Sequence, residues 1–182
     1  MSDKPKPVRR IIVKDVGEKS KALVDGPSPD VRTDPARPGY AATRIWVTDR
    51  TPARMQGIED TLDAPHTLEP PAGGSVCRVV TFPPDASWKG RVSAKEIKAW
   101  FSAMGSPGAS TYAPNAPHPY MQKTRTLDFC LVLEGEITLV LDTQEVHLKA
   151  GDTVVQRGTN HAWSNRSGGP CTIAFSSHDA RS

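Results

Sequence analysis

From Tyr120 onward, apolar and polar positions alternate in short runs, each closed by a turn residue. Lys123–Glu134 reads as a long strand. Glu136–Asp142 and Glu145–Lys149 read as a hairpin around Thr143-Gln144, and Thr153–Gln156, His161–Asn165 and Cys171–Ser177 as further strands. Gly135, Gly151, Gly158 and the run Arg166–Pro170 mark the turns. Short strands at such spacing predict an antiparallel sandwich or barrel.

Upstream, Val8–Lys14 and Ser20–Val24 flank Gly17 as a hairpin, and Thr43–Thr48 and Ser75–Phe82 read as strands. Between them, residues 25–42 carry Pro27, Pro29, Pro35 and Pro38 and read as an arm. Residues 1–7 read as a disordered tail. One segment has helical period instead. Ser93-x-x-Glu96 forms a capping box, Ile97, Trp100, Phe101 and Met104 follow on one face, and Gly105 stops the run. Such a helix packs an apolar stripe on a sheet.

Composition sharpens this division. Sixteen of the seventeen prolines lie at or before Pro119, and residues 120–169 have none. Proline cannot donate to a β ladder, so the proline-free block is where dense sheet is expected. We therefore divide the 182 residues into a tail, strand pair and Pro-rich arm at 1–39 and one barrel domain at 40–182.

Charge narrows the function classes. The chain has 23 Lys+Arg against 20 Asp+Glu. Lys4, Lys6, Arg9 and Arg10 against Asp3 account for the whole excess, so residues 11–182 balance. A nucleic-acid binder would spread its basic residues over a face or groove. No partner of that kind is expected, and no membrane partner, since the longest apolar run of the C-terminal block is Phe129–Leu133. The start of the chain lacks the apolar stretch of a signal peptide. Cys77, Cys130 and Cys171 are odd in number and form no C-x-x-C pair, which fits reduced thiols in a cytoplasmic protein.

The turns fall at spacings that resemble the two motifs of the cupin superfamily, in its small single-domain form. The first motif reads G-x5-H-x-H-x(3,4)-E-x6-G. Here Asp128-x6-Gly135 matches its end, and the two histidine places fall on Gln122 and Thr124. The second, G-x5-P-x-G-x2-H-x3-N, is matched by Gly151 followed by Gln156-x-Gly158-x2-His161-x3-Asn165. The resemblance covers about residues 110–178 and implies an all-β double-stranded β-helix, a jelly-roll barrel, with a degenerate first metal motif.

On an extended strand Gln122, Thr124, Thr126, Asp128 and Cys130 share one face. The family implies that this face points into the barrel mouth, where His161 and Trp163 meet it from another strand. Gln122, Thr124, Thr126, Asp128, His161 and Trp163 are therefore the expected ligand-binding residues. A cupin site with three His and one Glu holds Fe, Mn, Ni or Zn. At the matching places only His161 and Asp128 are ordinary ligands, and Gln122 offers a carbonyl oxygen. This predicts a reduced or atypical site for a divalent metal. His118 is a possible extra ligand but is flanked by Pro117 and Pro119 and fits a loop better. His147 reads as a surface side chain, and His66 and His178 lie near strand ends without visible partners.

His161 and Asp128 also suggest an acid–base or orienting pair, and Trp163 a flat surface for an aromatic ligand. No catalytic residue is assigned. The expected function is a small-molecule-binding barrel whose ligand is a small organic acid or aromatic compound. The alternatives are a metal-dependent dioxygenase, decarboxylase or isomerase using His161 and Asp128, and a sensor or structural dimer. Open barrels must cover their edges, so a homodimer is expected.

Overall fold

Alternation of side chains, rather than any continuous apolar run, builds this molecule, described by a computed structural model over residues 5–181. Part of the expected disordered tail, residues 1–4, lies outside the described residues, as does Ser182. The elements are β1 (Arg9–Val16), β2 (Lys19–Pro27), β3 (Val31–Thr33), β4 (Ala41–Thr48) and β5 (Ser75–Phe82), then helix α1 (Ala94–Ala103). The C-terminal part continues with β6 (Thr126–Glu134), β7 (Glu136–Leu141), β8 (Glu145–Lys149), β9 (Thr153–Arg157), β10 (His161–Ser164) and β11 (Cys171–Asp179).

A six-stranded sheet runs β3-β4-β5-β11-β6-β9, a three-stranded one β10-β7-β8, and β1 and β2 form a separate hairpin. Every pairing is antiparallel. On β5 the residues Val76, Arg78, Val80 and Phe82 point inward, and on β6 Thr126, Asp128, Cys130 and Val132 do. Val80, Phe82, Cys130, Val132 and Ile173 of the larger sheet share one core with Ile137, Leu139, Leu148 and Trp163 of the smaller. This is the antiparallel barrel that the turn spacing predicts, in the jelly-roll form that the resemblance implies.

Helix α1 covers one side of that core with Ile97, Trp100 and Phe101. Its capping box is formed as the sequence predicts: the Ser93 hydroxyl accepts from the Glu96 N–H, and the Glu96 carboxylate accepts from the Ser93 N–H. Gly135 makes the β6–β7 turn at a φ of 78° and lies against the Pro170 carbonyl.

Two sequence expectations are corrected. The strand expected from Lys123 begins at Thr126, because Gln122 pairs through its backbone with His161 of the smaller sheet, N to O at 2.8 and 2.9 Å. Between Gln122 and Thr126 the chain passes from one sheet to the other. The Pro-rich arm contains more strand than expected: β2 extends to Pro27, and β3 is the edge of the larger sheet. Arg9 and Arg10 lie in the expected N-terminal hairpin. Arg9 pairs with Asp25 at 2.6 Å, and the buried Arg10 with Asp60 at 2.6 Å.

Candidate small-molecule site

Gln122, Thr124, Thr126, Asp128, His161 and Trp163 all line one cavity of about 70 Å³ at the barrel mouth. The crossover of the chain between sheets brings Gln122 and Thr124 there, although neither lies in β6. Alternation on β6 supplies Thr126 and Asp128, and β10 supplies His161 and Trp163.

The hydrogen bonds orient each side chain. His161 donates from Nδ1 to the Thr159 carbonyl at 2.9 Å, which leaves the Nε2 lone pair of the neutral ring free to accept. The Gln122 amide lies 3.3 Å from that Nε2 and donates to it. Burial pushes the His161 pKa down, so the neutral ring is the favoured form. Beside it runs a hydroxyl relay. Thr124 Oγ1 is 2.7 Å from Thr126 Oγ1, which donates to Asp128 Oδ2 at 3.1 Å. The second Asp128 oxygen, Oδ1, is buried without a hydrogen-bond partner.

The expected His161–Asp128 pair does not form. Both imidazole nitrogens are engaged elsewhere, by Thr159 and Gln122, and Asp128 acts on the ring only through its charge. His118 lies away from the cavity. Its Nδ1 accepts from the Tyr120 N–H at 3.1 Å, and its Nε2 is 3.5 Å from the Asp85 carboxylate. His147 is exposed beside Glu136, whereas His66 has a partner that sequence did not reveal, Asp30 at 2.8 Å. Cys130 is buried in the core, and burial raises its thiol pKa to about 12, so it behaves as packing.

Among the described residues no three His, Cys, Asp or Glu side chains gather in a metal-holding group. His161 and Asp128 are the two strong donors, and the third neighbour, Gln122, directs an N–H at the imidazole lone pair that a metal would use. Catalytic zinc keeps three protein ligands, so this donor set does not fit a tightly held transition metal.

Sequence reasoning missed other residues of the lining, among them Arg37, Tyr40, Arg78, Trp100 and Tyr120. Arg78 has a signal in the sequence, since it shares the inward phase of β5 with Val76, Val80 and Phe82. Its Nη2 donates to the carbonyls of Thr67 and Leu68 at 3.1 and 2.8 Å. Arg37 follows β3 and has no such signal. Its Nε donates to Asp34 at 2.7 Å, and its guanidinium carbon lies 3.9 Å from the centre of the Tyr40 ring and 3.6 Å from that of Tyr120. The Tyr120 hydroxyl donates to the same Asp34 carboxylate at 2.8 Å.

An inward-facing polar pocket in a jelly-roll barrel defines the class of the protein, and relatives identify the family. Residues 108–176 match the family model of the cupin domain. The chain belongs to the cupin superfamily. It is 32% identical over 131 residues to the cupin-domain-containing oxidoreductase virC of Hypocrea virens, which spans 70% of this chain and 51% of that protein. It is 58% identical over 48 residues to phomopsin biosynthesis cluster protein C' of Diaporthe leptostromiformis, 26% of this chain and 25% of that protein. The chain thus spans between a quarter and about half the length of these curated relatives. The cupin domain of Cnp3 from Schizosaccharomyces pombe superposes with a TM-score of 0.47 at 8% identity, over 94% of this chain and 89% of that one. Among the described residues no helix is long and apolar enough to cross a membrane.

Proposed function

We propose that this cupin binds a small organic acid or aromatic compound in its barrel mouth, through a site that has lost the metal grip of its superfamily. The observation that carries the reading is the Gln122 amide on His161 Nε2, where a ligating side chain would leave that lone pair to an ion. The remaining wall supports small-molecule binding: hydroxyls and a carboxylate on one side, aromatic rings of Phe82, Trp163 and Phe175 on another. Thermal denaturation against a panel of small acids and phenols tests it. A true ligand at a hundred times its dissociation constant adds about 2.7 kcal/mol of stability. No shift with any member would count against the reading.

A second reading is a metal-dependent enzyme, a dioxygenase, decarboxylase or isomerase, using His161 and Asp128. The printed names of two relatives favour it, since virC and fogC (the latter of Aspergillus ruber) are called cupin-domain-containing oxidoreductases. Metal analysis of protein purified without a histidine tag separates the two. Near-stoichiometric Fe, Mn, Ni or Zn that disappears in His161→Ala would establish the second and sink the first.

A further inference from the structure

We propose that Arg37 and Arg78 form a carboxylate clamp, so that the ligand of this cavity is a small monocarboxylic acid seated by its charged end; the inference rests on the small-molecule reading above. Both residues line the cavity, and both are almost fully buried, Arg37 at 5% and Arg78 at 4% exposure. Each keeps one buried N–H group without a hydrogen-bond partner: Nη2 of Arg37 and Nε of Arg78. A buried donor left unmet costs about 1–3 kcal/mol, more when it carries charge. Two such donors on residues that line one cavity are therefore groups that a ligand there is suited to satisfy.

The two arginines are held from behind. Asp34 and the rings of Tyr40 and Tyr120 fix Arg37, and the Thr67 and Leu68 carbonyls hold Nη2 of Arg78. The Tyr40 ring against which Arg37 stacks lines the same cavity as Arg78. A guanidinium stays charged even when buried, and its planar donor array suits the two oxygens of a carboxylate.

Charge and volume select the class of anion. Arg37 is balanced by Asp34, whereas Arg78 has no carboxylate within hydrogen-bonding distance and meets Asp128 only through its field. The patch thus favours one added negative charge over the two of a phosphate. A single water needs about 10–15 Å³ of such space, so a cavity of about 70 Å³ has room for several and suits a small acid. The rest of the acid would run toward Phe82, Trp163 and Phe175.

Calorimetric titration of the full chain with propionate and benzoate, each against its primary amide, tests the assignment. The amides keep the shape and remove the charge. We expect each acid to bind at least tenfold tighter than its amide, and Arg78→Met to abolish that ratio. Arg78→Lys keeps a charge at the site but loses Nε, and should lower acid affinity severalfold; it replaces the Met variant if that one does not fold. Acids and amides binding alike, both lost when Thr126→Trp fills the cavity, would overturn the clamp and leave the small-molecule reading standing. Binding by phenol but by neither acid would do the same. If no acid, amide or phenol binds, both fall.

Discussion

The Gln122 amide nitrogen stands 3.3 Å from His161 Nε2, on the imidazole edge that faces the cavity. Because His161 Nδ1–H is committed to the Thr159 carbonyl, the ring must accept at Nε2, and Gln122 is the group that donates to it. One side chain thus supplies the hydrogen bond that a buried imidazole needs and occupies the direction from which a metal would be held.

Replacing that side chain should restore metal affinity. Gln122→His adds a third strong donor to His161 and Asp128, the number that catalytic zinc sites keep. After incubation with zinc and desalting, the variant is expected to retain close to one ion per chain, and the wild type well below that. Equal zinc contents by mass spectrometry would show that Gln122 is not what sets the affinity.

Stability should begin to fall with acidification near neutrality rather than in the carboxylate range. Burial holds the pKa values of His66 and His118 below their ordinary value. His66 faces Asp30, Arg44 and Arg78, and His118 faces Asp85, Lys89 and Arg37. A histidine depressed on folding binds its proton first in the unfolded chain. Its stabilising contribution is full above about pH 6.5 and is lost as pH falls through the lower folded values. The carboxylates Asp30 and Asp85 are themselves held low by these histidines and their other partners, despite burial, so their contribution persists to more acid pH. A melting temperature constant from pH 7.5 to 4.5 would contradict this.

Gly135→Ala should destabilise the barrel without touching the cavity. The position needs a φ of 78°, and an added Cβ would stand 2.6 Å from the Pro170 carbonyl oxygen. Strain at such a backbone conformation costs about 1–3 kcal/mol, and relief of the clash adds to it. Denaturant unfolding should show a lower midpoint with an unchanged slope, whereas a midpoint like the wild type would mean that the turn adapts.

A second copy of this chain is expected on the outer face of β6 and β9. Phe129, Leu131, Leu133 and Val155 are exposed there, Phe129 at 49%, and β9 is a free edge of the larger sheet among the described strands. Such an apolar edge normally requires cover. Light scattering should return twice the chain mass of 19.7 kDa, reverting toward the single mass in Phe129→Lys. A wild-type mass near 19.7 kDa would end the idea.

Much of the architecture was legible in residue order. The period-two pattern from Thr126 to Val132, the capping box at Ser93 and the turn at Gly135 are local devices, satisfied within a few residues of themselves. The histidine partners were not legible, because Asp30 and Asp85 lie 36 and 33 positions from His66 and His118 and only folding brings them together.

The site divides the same way. By itself the sequence determined a barrel whose proline-free block holds Gln122, Thr124, Thr126, Asp128, His161 and Trp163, since side-chain period and motif spacing are properties of the chain alone. The tertiary structure decided the rest. It turned Gln122 onto His161, kept Asp128 from pairing with that ring, and brought Arg37 and Arg78 to the same cavity. Those relations are made between strands far apart in sequence, and a buried charge or lone pair is satisfied by whatever the fold places beside it.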